Sequence, residues 1–292
     1  MNSERLKSTD SLHSRIWGYL LERFPPAAYT VLVALFSGST FLLADARVSW
    51  ATGFTAGLVV LLVFFHLRIM DEHKDGDADR QAYPDRLLTR GVVTLPLLKR
   101  LGVIAVVAQA LLAWSVSVPA FQAWLACLVF TLLMRVEFGV GHWLNRHLVV
   151  YAITHNPIVG LLAVFLWVVA GGTYGLTAGL YVAVVSLGSL AFEVGRKIRL
   201  PDEEISSVDS YSSVLGKSRA DALLLGIRWL TSVLLFCLAY TEEAPLIGAA
   251  ALGLSVVWTI LLAGGRRGAK ATEGVATGAL LLDFILIGSL GW

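Results

Sequence analysis

Long apolar runs alternate with short polar connections along almost the whole chain. Nine of these runs approach the ~20 residues that an α-helix needs to cross a bilayer. They cover residues 27–43, 50–67, 92–114, 118–134, 148–170, 175–193, 222–240, 244–263 and 274–291. The pattern therefore predicts an all-α, polytopic membrane protein whose nine transmembrane helices form one bundle.

The composition agrees with this prediction. Hydrophobic residues make up 57% of the chain and charged residues only 15%, and the mean hydropathy is +0.72. A soluble domain of 292 residues does not need so much apolar surface.

A more polar segment, residues 1–26, precedes the first run. Its Leu12 and Ile16 are spaced one turn apart, and Arg15 falls between them. This spacing predicts an amphipathic helix that lies in the membrane interface. Residues 27–292 are expected to form the nine-helix domain.

The basic residues are sorted between the two ends of the predicted spans. Except for Arg47, every Lys and Arg lies before the first span, or in and beside the connections that follow spans 2, 4, 6 and 8. The positive-inside rule then predicts an integral cell-membrane protein with a cytoplasmic N-terminus, these four connections cytoplasmic, and an external C-terminus. Because topology explains the basic residues, the net charge of +2 gives no indication of a nucleic-acid partner.

A first acidic cluster follows span 2. Asp71, Asp75 and Asp79 recur at one-turn intervals, so on a helix they share one face, and Glu72 lies beside them. Charged groups at the end of a membrane span indicate a functional site. Carboxylate and phosphate oxygens are the ligands that Mg2+ prefers. Three carboxylates in a row repel one another, so they are either exposed to water or neutralised by divalent cations, and the spacing indicates a candidate magnesium site at the cytoplasmic end of span 2.

A second charged cluster follows span 6. Glu193 precedes a basic run, and the acidic pair Asp202 and Glu203 comes after it. Both clusters end even-numbered spans, so they can face each other across one cavity. The basic residues that flank them are Arg68, Lys74, Arg86, Arg196, Lys197 and Arg199. This combination predicts a pocket for Mg2+ and a polyanion, such as a diphosphate on a lipid tail.

With these motifs, the chain resembles the UbiA superfamily of intramembrane prenyltransferases. The family's first motif, Asn-Asp-x-x-Asp-x-x-x-Asp with a Pro-Asp-Arg-like segment after it, is similar to Asp71-Glu72-x-x-Asp75-x-x-x-Asp79 and Pro84-Asp85-Arg86. The second motif departs from the pattern, because Glu193 and a basic Arg196-Lys197-x-Arg199 stand where the family commonly has an Asp-x-x-x-Asp run.

The resemblance implies nine helices around a central cavity and assigns roles to individual residues. Asp71, Glu72, Asp75 and Asp79 would hold Mg2+ and, through it, the diphosphate of an isoprenyl donor, with Asp71, Asp75 and Arg68 acting in catalysis. A second metal would be held by Glu193, or by Asp202 and Glu203. Lys74, Arg86, Arg196, Lys197 and Arg199 would contact the diphosphate. The region between helices 4 and 5 adds Arg146 and His155 as candidate contacts, although Arg146 has the alternative interpretation of a topological anchor.

The implied function is a Mg2+-dependent transferase that moves an isoprenyl group from a prenyl diphosphate to a hydrophobic acceptor, aromatic or lipid. Aromatic side chains would stabilise the allylic cation; the candidates are Phe64, Phe65, Phe138, Trp143, Tyr151 and Phe192. One alternative on the same fold is a phosphoribosyl-type transferase or a terpene cyclase. A transporter of ions or small molecules is the alternative from another class.

Two further expectations concern buried groups. Arg228 in span 7 and Asp283 in span 9 are expected to pair for structural reasons. Cys127 and Cys237 lie in different spans and are expected to be buried free thiols.

Overall fold

The computed structural model describes residues 6–74, 81–205, 208–263 and 268–291. Within these ranges, nine helical segments are long and apolar enough to cross a membrane, which confirms the predicted all-α membrane fold. Helix α1 (Leu12–Arg23) precedes them. The bounds of the others are α2 (Pro26–Leu43), α3 (Trp50–Lys74), α4 (Leu95–Val116), α5 (Val118–Arg135), α6 (Leu148–His155), α7 (Pro157–Ala170), α8 (Leu176–Gly195), α9 (Lys217–Thr241), α10 (Pro245–Ala263) and α11 (Ala269–Ser289).

The spanning helices form one bundle in which most neighbours in sequence are neighbours in space. Helix α3 packs along α4, α5 along α7, and α8 along α9. The last helix, α11, returns to lie against both α2 and α8, which closes the bundle. The apolar core between these helices includes the fully buried Phe36, Phe165 and Tyr181.

The fifth span is two helices rather than the single helix that its apolar run predicts. Helix α6 ends at His155 and α7 begins at Pro157. Proline has no backbone N–H and cannot continue the hydrogen-bond ladder of the preceding helix. Asn156 lies at the break, and its Nδ2 donates to the carbonyl of Ser186 on α8 at 2.7 Å. The break therefore directs polar groups toward the interior of the bundle.

Helix α1 is docked onto the segment that connects α3 to α4. Arg15 Nε donates to the carbonyl of Val92 at 2.6 Å, and the backbone N–H of Leu87 donates to the carboxylate of Glu22 at 3.3 Å. Burial raises the pKa of the Glu22 carboxyl, while the Leu87 N–H and neighbouring arginines oppose that rise. The amphipathic helix expected at the N-terminus is thus attached to the bundle by defined hydrogen bonds.

Two polar groups pair inside the membrane-spanning region. Arg228 on α9 and Asp283 on α11 are both buried, and the guanidinium donates to the two carboxylate oxygens at 2.5 and 3.0 Å. This is the pairing that the sequence predicts. Cys127 is buried as expected, but Cys237 is exposed on the outer surface, so the expectation of a buried thiol was wrong at that position.

Candidate functional site

A cavity of about 460 Å³ opens between the ends of α3 and α8. Groups from both charged clusters line it, as do side chains from the broken fifth span. The lining includes Tyr29, Phe64, Arg68, Asp71, Tyr151, His155, Phe192, Glu193, Arg196, Lys197 and Glu273. The structure therefore brings the described parts of the two clusters to one cavity, as their positions after spans 2 and 6 predict.

The α3 side of the cavity carries Asp71 and Arg68. Asp71 has 59% of its side chain exposed, so its carboxylate is accessible from the cavity. Arg68 lies one turn earlier on the same helix, with Nη1 3.9 Å from Asp71 Oδ2. The accessible carboxylate can bind a cation. The guanidinium beside it can neutralise an anion that is bound to that cation.

The α8 side is dominated by positive charge. Glu193 Oε2 accepts from Arg196 Nε at 2.6 Å, and Glu193 Oε1 lies 2.9 Å from Lys197 Nζ. Both carboxylate oxygens of Glu193 are thus occupied by its own helical neighbours. Burial is the largest single influence on the pKa of Arg196 and lowers it. The charge and the hydrogen bond of Glu193, together with the charge of Asp71, outweigh burial, so the pKa is raised overall. The α8 cluster presents two cations and one neutralised carboxylate to the cavity.

Glu72 does not share the cavity with Asp71, although the family motif implies that it does. Its carboxylate is 2% exposed, and Oε1 accepts from Arg23 Nε at 2.7 Å and from Arg68 Nη2 at 2.9 Å. Consecutive helical residues point about 100° apart, and this rotation turns Glu72 toward α1. Its role in the structure is to link α1 to the end of α3.

Lys74 is also held by protein groups and is not among the described lining residues. It forms an ion pair with Glu137, and its Nζ donates to the hydroxyl of Tyr151 at 2.5 Å. Glu137 begins a tight turn after α5 in which it and Phe138 have φ values of 49° and 54°. This left-handed conformation costs energy for residues that carry a Cβ. Lys74 therefore attaches the α5 to α6 connection to the end of α3.

Three other predicted diphosphate contacts lie outside the described lining of the cavity. Arg86 stacks on the ring of Tyr83 at 3.5 Å, and Arg146 is exposed in the connection before α6. Arg199 follows the cavity residues of α8, where its backbone N–H donates to Ser212 Oγ at 2.8 Å.

The acidic pair after α8 is likewise placed elsewhere. Asp202 is exposed, and Glu203 Oε2 accepts from the backbone N–H groups of Leu200 at 3.0 Å and Ala269 at 2.7 Å. These two hydrogen bonds lower the pKa of Glu203. Ala269 is the first residue of α11, so Glu203 satisfies one of the unpaired N–H groups at that helix start. The structure does not place either residue with Glu193.

The two described carboxylates that line the cavity from α3 and α8 differ in their suitability as metal ligands. Asp75 and Asp79 lie outside the described residues, and across the described ranges no three His, Cys, Asp or Glu side chains are grouped as a metal site. Asp71 fits a metal ligand because it is accessible and anionic. Glu193 does not fit, because each of its oxygens already accepts from a fixed cation.

Three of the six aromatic candidates line the cavity, and three do not. Phe64, Tyr151 and Phe192 line the cavity, whereas Trp143 is exposed and stacks on His147. Phe65 contacts Phe24, and Phe138 contacts the His155 ring edge-on at 5.5 Å. The lining also contains residues that were not predicted from the sequence, among them Tyr29 and Glu273. Each of these two lies within the first turns of a span that starts at this end of the bundle, which is the signal that could have identified them.

The same architecture occurs in solved structures. A UbiA homolog from Aeropyrum pernix K1, solved in its apo form, has a TM-score of 0.70 to this chain at 18% identity, covering 89% of this chain and 96% of that one. A digeranylgeranylglyceryl phosphate synthase has a TM-score of 0.66 at 14% identity, over 95% and 98% of the two chains. A UbiA homolog from Archaeoglobus fulgidus bound to DMAPP and Mg2+ has a TM-score of 0.62 at 13% identity, over 93% and 99%.

At sequence level, no protein-family model matches the chain and no curated protein matches it significantly. The structural similarity covers nearly the full length of each chain in the comparison. It confirms, at the level of fold, the resemblance that the nine-span layout and the first acidic motif predict.

Proposed function

We propose that this chain, which has the fold of the solved UbiA homologues, is a membrane prenyltransferase that binds a prenyl diphosphate in the cavity between α3 and α8. The observation that supports this proposal is the meeting of Asp71 and Arg68 with Arg196 and Lys197 around one cavity. The diphosphate would lie among these groups, and its prenyl tail would extend between the helices. The acceptor is a hydrophobic nucleophile that reaches the same cavity through the bundle.

In this proposal, Mg2+ binds at Asp71 together with Asp75 and Asp79 from the same motif. The metal would supply positive charge to the departing diphosphate. Arg68 reaches the same region and can donate hydrogen bonds to phosphate oxygens. The Mg2+-bound and DMAPP-bound form of the Archaeoglobus fulgidus homolog supports this assignment by analogy of fold.

On the α8 side, the basic side chains themselves would stabilise the negative charge of the diphosphate, in place of a second metal ion. Arg196 and Lys197 are fixed by Glu193, with side chains 40% and 26% exposed. A positioned cation stabilises charge that develops in the transition state without having to reorganise. The basic residues that interrupt the family's second motif thereby gain a role in holding the leaving group.

The aromatic wall would complete the site. Phe64, Tyr151 and Phe192 present ring faces or edges to the cavity, where ring faces attract a developing carbocation. Their apolar surface also limits water at the allylic carbon. The Tyr151 ring is fixed by stacking on His155 at 3.9 Å between ring centroids.

Asp71→Asn tests the metal side of the proposal. The change keeps the size of the side chain but removes its charge, so Mg2+-dependent binding of geranyl S-thiolodiphosphate, an unreactive donor analogue, should weaken. Turnover should fall by ~10²–10³ because one electrostatic stabiliser of the leaving group is lost. Asp202→Asn is the matched control, because Asp202 is an exposed carboxylate at the same end of the bundle. Equal effects of the two changes, or Mg2+-independent binding in the wild type, would contradict the proposal.

Arg196→Gln and Lys197→Gln test the α8 side. Each should weaken analogue binding by the ~1.5–3 kcal/mol of a charge-assisted hydrogen bond. Arg199→Gln is the control from the same basic run, because the structure places Arg199 outside the described lining. If Arg199→Gln is as damaging as Arg196→Gln, the cavity is not where the diphosphate binds.

A further inference from the structure

A second hollow lies on a different side of α3. It is a groove of about 300 Å³ between α3, α4 and α5. Its walls are largely aliphatic, and Val103, Val107 and Leu132 are each more than half exposed there. Gly102 lacks a side chain at the groove, and the nearest atom to a Cβ placed there would be Ile69 Cγ2 at 3.3 Å. The groove shares no described lining residue with the cavity between α3 and α8.

The two ends of this groove differ in polarity. At the end where α3 and α5 finish and α4 begins, His73, Lys99 and Arg135 line it. About 10 Å further along α3, the groove reaches His66 and Thr131, which are almost completely buried. The groove thus has a basic mouth and an apolar body, and its inner end lies in the interior of the bundle.

The polar groups at the inner end already satisfy one another. Trp124 Nε1 donates to Gln109 Oε1 at 3.0 Å, Gln109 Nε2 lies 3.0 Å from His66 Nδ1, and His66 Nε2 lies 3.3 Å from Thr131 Oγ1. This network leaves little hydrogen-bonding capacity for a ligand. An occupant is therefore recognised at the basic mouth.

The two basic side chains at the mouth are the feature that the proposed activity does not use. Lys99 and Arg135 are exposed, and across the described ranges neither has a carboxylate partner within ion-pair distance. Most other basic groups at this end of the bundle are held by protein. Arg68, Lys74, Arg196 and Lys197, for example, all have carboxylate partners.

We infer that this groove binds one anionic phospholipid, with its phosphodiester between Lys99 and Arg135 and one acyl chain along the aliphatic wall. The complementarity is specific: two cations at the level of the head groups, and apolar surface below them. Basic pockets between transmembrane helices bind anionic head groups in this way, with a contribution of about fivefold in affinity from each basic residue. The inference is independent of the proposed prenyl transfer.

The test uses the purified, delipidated full-length protein. Native mass spectrometry should show preferential retention of one phosphatidylglycerol over phosphatidylcholine with the same acyl chains. In Lys99→Gln/Arg135→Gln the preference should fall by about twentyfold to thirtyfold. The control, Arg100→Gln/Lys270→Gln, removes two exposed basic residues at the same end that do not line the groove, and it should keep the preference.

Several results would overturn the inference. Equal retention of the two lipids by the wild type, which requires no variant to fold, would show that the mouth does not select charge. An equal loss of the lipid preference in the control variant would show that the basic surface as a whole, and not this groove, attracts the anionic lipid. A third arm adds sn-glycerol 3-phosphate at millimolar concentration. Displacement of the retained lipid by this soluble head group would identify a phosphate site instead of a lipid site.

Discussion

Arg23 and Glu72 join the first helix of the chain to the end of α3, with Arg23 Nε donating to Glu72 Oε1 at 2.7 Å. The same oxygen accepts from Arg68, which lines the cavity. Glu72 is therefore a neighbour of the proposed metal site but faces away from it, and its charge balances two arginines.

Glu72→Gln should accordingly destabilise the protein more than it affects metal binding. A neutral amide leaves two guanidinium groups without their shared carboxylate, at a cost of about 1–3 kcal/mol in the free energy of unfolding. We expect a lower Tm in detergent, with Mg2+ affinity changed less than threefold. Asp71→Asn should show the opposite profile. A large loss of Mg2+ affinity in Glu72→Gln, at unchanged Tm, would restore Glu72 as a ligand.

The buried pair of Arg228 and Asp283 predicts that removing one partner destabilises the protein more than removing both. Asp283→Asn leaves an arginine charge uncompensated among apolar side chains and should cost ~3–5 kcal/mol, whereas replacing both residues with apolar ones of similar volume should cost far less. The measurement is denaturant or thermal unfolding of Asp283→Asn and of Arg228→Met/Asp283→Leu. If the double variant is the less stable of the two, the pair has a role beyond mutual neutralisation.

The first motif makes a prediction from sequence alone, because Asp75 and Asp77 lie outside the described residues. Asp75 shares the helical face of Asp71 by spacing, and Asp77 does not. Asp75→Asn should lower Mg2+-dependent turnover by ~10²–10³, and Asp77→Asn should be close to wild type. Equal losses, or an unaffected Asp75→Asn, would show that the assigned metal face is wrong.

Glu203 predicts a pH-dependent contribution to stability. Hydrogen bonds from the N–H groups of Leu200 and Ala269 lower its pKa from the usual value of 4.5. The carboxylate therefore stabilises the folded state fully above that value, and the contribution is lost as the pH falls through the lower, folded-state pKa. The Tm difference between wild type and Glu203→Gln should be present at pH 6 and should shrink as the pH falls below 4.5. Asp202→Asn, its exposed neighbour, should show no such difference, and a pH-independent gap for Glu203→Gln would contradict the capping role.

The orientation in the membrane remains a prediction from the lysine and arginine distribution. In a background in which both native cysteines are Ala, Asp202→Cys should resist an impermeant thiol reagent in intact cells and react in inverted vesicles. Tyr174→Cys, at the opposite end and 77% exposed, should show the reverse. Labelling of Asp202→Cys in intact cells would overturn the cytoplasmic assignment of the cavity.

The spans and the meeting of the two clusters were predictable because both depend on local pattern. Apolar length defines a membrane helix, and two clusters that end even-numbered spans must lie at one end of the bundle. Asp71 and Glu193 illustrate this, since both line the cavity. Helix α3 also continues past the apolar run of span 2, and the described residues follow it to Lys74.

The direction in which each charged side chain points was not predictable, because it depends on hydrogen-bond partners that are distant in sequence. Glu72 is held by Arg23, 49 residues earlier, and Glu203 by the start of α11, 66 residues later. Nothing in the local spacing of Asp71 and Glu72 distinguishes a residue that faces the cavity from one that faces α1. Only the packed arrangement of the helices makes that distinction.

The pairing of Arg228 with Asp283 also has a consequence for the order in which the chain is made. Arg228 lies within α9, where an arginine opposes insertion by up to ~2.5–3.5 kcal/mol, the cost at a helix centre, and its partner is synthesised 55 residues later. During that interval the arginine depends on the apolar residues around it in α9 to remain in the bilayer. The 18-residue stretch of α9 that reaches a mean hydropathy of 2.0 includes Arg228 itself. The arrival of α11 then neutralises α9 and fills the gap between α2 and α8 in one event. We therefore expect nascent chains to become resistant to protease in a single late step, when α11 leaves the ribosome.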